Sequence, residues 1–138
     1  MDYFQREKAE TLIDHLSHFM EKTEEEVGVR VGRSFLTKVF ETPTIEEEFE
    51  DIYEAHSSMV SRGMEGEPDT EAIDIMDSFL SRVYLYKMNY IYSELWQLGY
   101  AEPTAVDEMG EVVFTYTSKA KDGNDSKFRE VYGRLRDE

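Results

Sequence analysis

One stretch governs what this chain can become: thirty-one residues from Asp69 to Gly99, DTEAIDIMDSFLSRVYLYKMNYIYSELWQLG, with no glycine or proline inside them. With helix breakers missing, the spacing predicts one long helix over 69–98. Asp69 or Thr70, just after Pro68, is placed to cap its start. Asp74 and Asp77 suit the positive end of its dipole, and Gly99 suits a left-handed stop. At about 1.5 Å per residue such a helix spans roughly 45 Å. Its apolar residues change track along the way: Ile73, Met76, Leu80 and Val83 first, then Tyr84, Met88, Ile91, Leu95 and Leu98, with Phe79, Tyr86 and Tyr90 between. An apolar surface that wide predicts a central helix covered by several neighbours.

The segments ahead of it read as amphipathic helices over 1–62. Leu12, Ile13, Leu16, Phe19 and Met20 recur at helical spacing, so a first helix is expected from Asp2 to about Lys22, with Asp2 and Gln5 as a capping box. The next segment, TEEEVGVRVGRSFLTKVFE, supports two readings. Val27, Val29 and Val31 alternate like a strand, while Val27, Val31, Phe35 and Val39 recur every four residues behind a second capping box, Thr23 with Glu26. Helix is the preferred reading, with Gly28 and Gly32 allowing close approach of a neighbouring backbone. Thr42, Pro43 and Thr44 then break the chain. Thr44 with Glu47 makes a third box before a helix whose apolar stripe is Ile45, Phe49, Ile52, Met59 and Val60. The run from Gly63 to Pro68 is the expected loop into the long helix.

Beyond Gly99 the period changes. Tyr100–Val106 and Glu111–Thr117 flank the turn residues Asp107, Glu108, Met109 and Gly110, which predicts a β-hairpin over 100–117. Asp122–Asp125 then breaks the chain, and Phe128, Val131, Tyr132 and Leu135 mark a final helix over 125–137. The expected fold is mainly α (α+β): one domain built around the helix 69–98, with a wing-like C-terminal hairpin. In order, the helix ending LWQLGY, the hairpin and the segment TYTSKAK before a last helix resemble the C-terminal half of winged-helix DNA-binding domains, over residues 84–138. The resemblance implies a recognition helix and a two-stranded wing. Ala120 stands where that family tends to have glycine, and Asp122–Asp125 interrupts its last helix.

Charge narrows the choice of partner. The formal net charge is −16, and residues 41–77 hold thirteen acids against Arg62 alone. Such a field repels phosphate backbones and attracts basic surfaces. Glu46, Glu47, Glu50, Asp51 and Glu54 fall outside the apolar stripe of their helix, so the expected binding face is acidic, centred on 46–54 and supported by 65–77. The function this predicts is a non-catalytic module engaging a protein with a basic surface. Its specific version, by analogy of charge, is an inhibitor that occupies a nucleic-acid-binding site, a nucleic-acid mimic of the phage anti-defence type. The alternative from the winged-helix resemblance is a transcription regulator that holds DNA with Lys119, Lys121, Lys127 and Arg129, with Lys87 as the cation of the helix before the wing. Acids in the wing oppose it, and nucleic acid is not the expected partner.

Enzymatic chemistry finds little support. There are no cysteines, which excludes disulfides and thiolate sites and suggests a cytoplasmic protein. No membrane span and no secretion signal are evident. Glu10, Asp14 and His18 share a helix face that Glu47, Asp51 and Glu54 could oppose, yet the Glu-x-x-His pairs of ferritin-like metal proteins are missing, so neither metal nor cofactor is expected. His15 and His56 adjoin apolar stripes and read as hydrogen-bonded structural histidines. Tyr84, Tyr86, Tyr90, Tyr92, Trp96 and Tyr100 read as core that also suits a homodimer interface.

Overall fold

In the computed structural model, which describes residues 3–138, the chain is mainly helical (74%), with a two-stranded antiparallel hairpin and a short final helix near its C-terminal end. Its helices are α1 (Tyr3–Val27), α2 (Arg33–Phe40), α3 (Pro43–Met64), α4 (Thr70–Gln97) and α5 (Ser126–Asp137). The strands are β1 (Ala101–Val106) and β2 (Val112–Tyr116), and a 3₁₀ segment covers Ser118–Gly123. Contacts divide the chain into two compact units, residues 1–86 and 87–138, and α4 contributes residues to each.

The first unit is a helical core. Ala9, Leu12, Ile13, Leu16 and Met20 are the buried face of α1, whereas Phe19 is half exposed. Helix α1 continues past Lys22 to Val27, because TEEE is a run of competent helix residues and Gly28 ends it with φ +84°. The Gly28 N–H donates to the Glu24 carbonyl at 2.8 Å. Thr23 therefore caps nothing: its hydroxyl lies 3.2 Å from the Met20 carbonyl and 3.2 Å from the Tyr84 hydroxyl. Residues 28–32 are neither helix nor strand, although Val29 and Val31 are buried, so the helical reading holds for 23–27 and again from Arg33 onward and fails between them. Gly32 is the N-cap of α2 rather than a packing glycine inside a helix.

Helix α3 starts earlier than Thr44. Thr42 is its N-cap and Pro43 its first residue, where a missing N–H costs nothing, so no Thr44–Glu47 box forms. Ile45, Phe49, Ile52 and Ala55 are buried, while Val60 is exposed. Phe40 sits at the centre, its ring 6.0 Å edge-on from Phe49 and 5.4 Å from Phe79.

Asp69 caps α4 as expected: its Oδ1 accepts the Ala72 N–H at 3.1 Å. Gly99 at φ +82° ends the helix, and the Tyr100 N–H reaches back to the Leu95 carbonyl at 2.8 Å. The two apolar tracks resolve into one. Ala72, Met76, Phe79, Val83, Lys87, Ile91 and Leu95 are buried at intervals of three and four, while Leu98 is exposed. Lys87, 1% exposed, occupies an apolar position in that row. Its Nζ donates to the Glu138 carbonyl at 3.1 Å, so it is not presented to a phosphate.

In the second unit β1 pairs with β2 in the register Ala101↔Tyr116 to Val106↔Val112, with a bulge between Pro103 and Ala105. Asp107 builds the turn, its Oδ1 accepting the N–H groups of Met109 and Glu111 at 2.9 and 2.8 Å. Tyr92 stacks on Phe114, and Phe128 meets Tyr100, Tyr116 and Tyr132. Asp125 caps α5 by accepting the Phe128 N–H at 3.0 Å.

Phe79 is fully buried where α2, α3 and α4 converge, so truncation there leaves a cavity its neighbours cannot close. Phe79→Ala is expected to lower stability by about 3–5 kcal/mol, read as the shift of a urea-unfolding midpoint at unchanged slope.

Candidate functional site

Helical spacing explains how a run of acids becomes a surface. On α3, Glu47, Asp51, Glu54 and Ser58 recur at four, three and four residues and share a face. On α4, Glu71, Ile75, Ser78 and Arg82 do the same, beside Asp74. Where these faces meet lies a groove of about 840 Å³ with Ile52, Ala55, Ala72 and Ile75 between its polar walls. Its walls carry six carboxylates, from Glu48, Asp51, Glu54, Asp69, Glu71 and Asp74, against the guanidinium of Arg82. Arg82 pairs with Glu48 at 2.6 Å, and its buried Nε meets no hydrogen-bond partner among the described residues.

Asp69 has two roles in that wall. One carboxylate oxygen caps α4 and the other accepts the Ser58 hydroxyl at 2.5 Å. The Ser58 hydrogen bond, followed by the Ala72 N–H, holds its carboxyl below the usual aspartate range. The groove therefore keeps this negative charge into mildly acidic solution.

The five acids singled out on 46–54 do not act as one face. Asp51 and Glu54 line the groove, and Glu47 is exposed on the same side of α3. Glu50 turns toward α1 and pairs with Lys8 at 3.5 Å. Glu46 lines a different hollow of about 470 Å³ with Arg6, Glu10, Arg33 and Glu41. Glu48, Asp69, Glu71, Asp74 and Arg82 complete the groove. Asp69, Glu71 and Asp74 fall in the supporting segment 65–77, whereas Glu48 and Arg82 carry no signal in the sequence that sets them apart from ordinary helix surface.

The remaining candidates are also placed. Lys119 donates to the Leu98 carbonyl at 2.7 Å and lies 4.6 Å from the centre of the Tyr100 ring, serving as a cation at the C-terminal end of α4. Lys121, Lys127 and Arg129 are exposed. Asp14 pairs with Arg33, and among the described residues no group of three or more His, Asp or Glu side chains is positioned to hold a metal. Of the aromatic set expected at an interface, Tyr90 on α4 donates to Glu138 at 2.9 Å, Trp96 on α4 is half exposed, and Tyr100, beyond the helix, is buried.

The rings of His15 on α1 and His56 on α3 lie 5.3 Å apart, a contact that residue spacing does not reveal. Burial, and then the charge of His15, push the His56 imidazole below its ordinary value of 6.5. The fold thus binds fewer protons there than the open chain, and stability present above that value is lost as pH falls through it. Lowering pH from about 7 to about 5 is expected to reduce the melting temperature, and His56→Gln is expected to flatten that slope. An unchanged slope in the variant would assign the effect to carboxylates instead. Compared with known proteins, the chain matches no family model, no curated protein and no solved structure.

Proposed function

We propose that this chain is a non-catalytic binding protein that receives a basic surface of a protein partner along the groove between α3 and α4. The observation that carries this reading is the set of six carboxylates facing one guanidinium across a single hollow. Carboxylates at successive turns of two helices make parallel rows of negative charge, an approximation to phosphate rows. In the most specific form of the proposal, the protein is an inhibitor that occupies a nucleic-acid-binding site by electrostatic substitution. The rival reading, a winged-helix-like DNA-binding regulator, draws support from the order of α4, hairpin and α5. It is weakened by the burial of Lys87 and the engagement of Lys119.

Two variants of equal charge separate a groove from mere acidity. Asp51→Lys with Glu54→Lys alters the groove, and Glu46→Lys with Glu50→Lys alters the other side of α3 by the same four charge units. Binding of a labelled oligo-arginine peptide, followed by fluorescence anisotropy, is expected to weaken about tenfold, or about 1.4 kcal/mol, in the first variant and far less in the second. Equal losses would sink the proposal. Raising salt should weaken capture in the unaltered protein. A gel-shift series at low salt should show no retention of duplex DNA, and retention that vanishes when Lys121, Lys127 and Arg129 are neutralised would favour the rival.

A further inference from the structure

The hairpin has two free edges, and they are not alike. In the ladder the Asp107 N–H donates to the Glu111 carbonyl and the Thr117 N–H to the Tyr100 carbonyl. Glu111 and Thr117 therefore face β1, and by the pleat so do Val113 and Thr115. The main-chain N–H and C=O groups of Val112, Phe114 and Tyr116 point to the opposite edge. On β1 the outward position opposite Phe114 is Pro103, which has no N–H to offer, and a bulge follows it at once. Glu102 adds a charge beside it. The β1 edge is thus protected in three of the ways that proteins discourage further pairing. The β2 edge has none of them: VVFTY contains no charged residue, no proline and no glycine. Val112, Val113 and Tyr116 are 47%, 40% and 40% exposed.

We infer that the β2 edge pairs with β2 of a second copy of this chain, making a four-stranded antiparallel sheet across a two-fold axis at Phe114. In that register Phe114 faces its own counterpart and Val112 faces Tyr116, a β-branched residue against an aromatic one. The choice of a second copy rests on charge. Reversing the strand about Phe114 carries the acidic turn of one copy, with Asp107, Glu108 and Glu111, toward the segment of the other that holds Lys121, and symmetry repeats the match. Lys121 is exposed and Glu108 is exposed, so each is free to approach the other across the axis. Pairing of β2 with β1 of another copy would meet Pro103 and Glu102 instead. The strand also lies where copies of so acidic a protein repel least: residues 87–138 carry ten acids against seven bases, and residues 1–86 carry twenty-one against eight.

Sedimentation equilibrium at micromolar concentrations tests this. The unaltered chain, 16.2 kDa as a monomer, is expected at twice that mass. Val112→Pro removes one outward N–H and breaks no bond to β1, so it should give a monomer with an unchanged circular dichroism spectrum. Glu108→Lys and Lys121→Glu should each weaken association at least several-fold, and the two together should restore it. That restoration keeps the test decisive even if the proline variant fails to fold. A monomer mass for the unaltered chain overturns the inference. So does a dimer that persists in Val112→Pro and ignores both charge variants, which would place the contact elsewhere.

Discussion

The buried row along α4, apolar except at Lys87, is the constraint on which the rest depends. Ala72, Met76, Phe79 and Val83 belong to the core that α1, α2 and α3 share in the first unit. In the second unit Ile91 and Leu95 continue the row, with Lys87 set among them and satisfied by the Glu138 carbonyl. A glycine or proline anywhere between would cost about 1 to 3 kcal/mol in helix propensity alone. The helix is held at both ends by local chemistry. Asp69 caps its first turn, and Gly99 takes the left-handed conformation that lets Tyr100 bond back to Leu95.

The same cap ties stability to the groove. Negative charge at the start of α4 complements its dipole, which is a sufficient structural reason for Asp69, Glu71 and Asp74. Once α3 lies alongside, those residues also face Asp51 and Glu54, and groups placed to stabilise one helix become half of a strongly negative channel. Arg82 relieves the repulsion at Glu48, and Ser58 with the Ala72 N–H holds both oxygens of Asp69. The ion pairs of Lys8 with Glu50 and of Arg33 with Asp14 are exposed, and such pairs add little stability.

The hairpin shows a second division of labour. Its turn is determined locally, by Asp107 bonding to two following N–H groups and by Gly110 at positive φ. Its two edges are distinguished by one imino acid and one bulge. Neither feature alters the packing of Phe114 against Tyr92 and Trp96, yet together they leave only one edge with an unbroken run of main-chain donors and acceptors.

By itself, the sequence determined whatever depends on neighbours within a few residues. The span of α4, its cap at Asp69, its stop at Gly99, the turn at Asp107 and the final helix all follow from propensity and short-range hydrogen bonds. So does the mainly α character with a C-terminal hairpin. Boundaries failed where two local signals competed. Thr23 looked like a cap because hydroxyls suit N-caps, but Met20 and Tyr84 supplied its partners from the other direction. Thr44 gave way to Thr42 because Pro43 can begin a helix. Lys87 reads as a surface cation because charge is normally solvated, and its burial comes with a hydrogen bond to the carbonyl of Glu138, distant in sequence, and with the nearby Tyr90 ring. The acids of both walls are legible in the sequence, as 46–54 supported by 65–77, but which of them share one groove is decided by tertiary structure. Five acids close together on α3 diverge because successive residues turn about 100° around a helix, and their true companions come from α4, some twenty residues away.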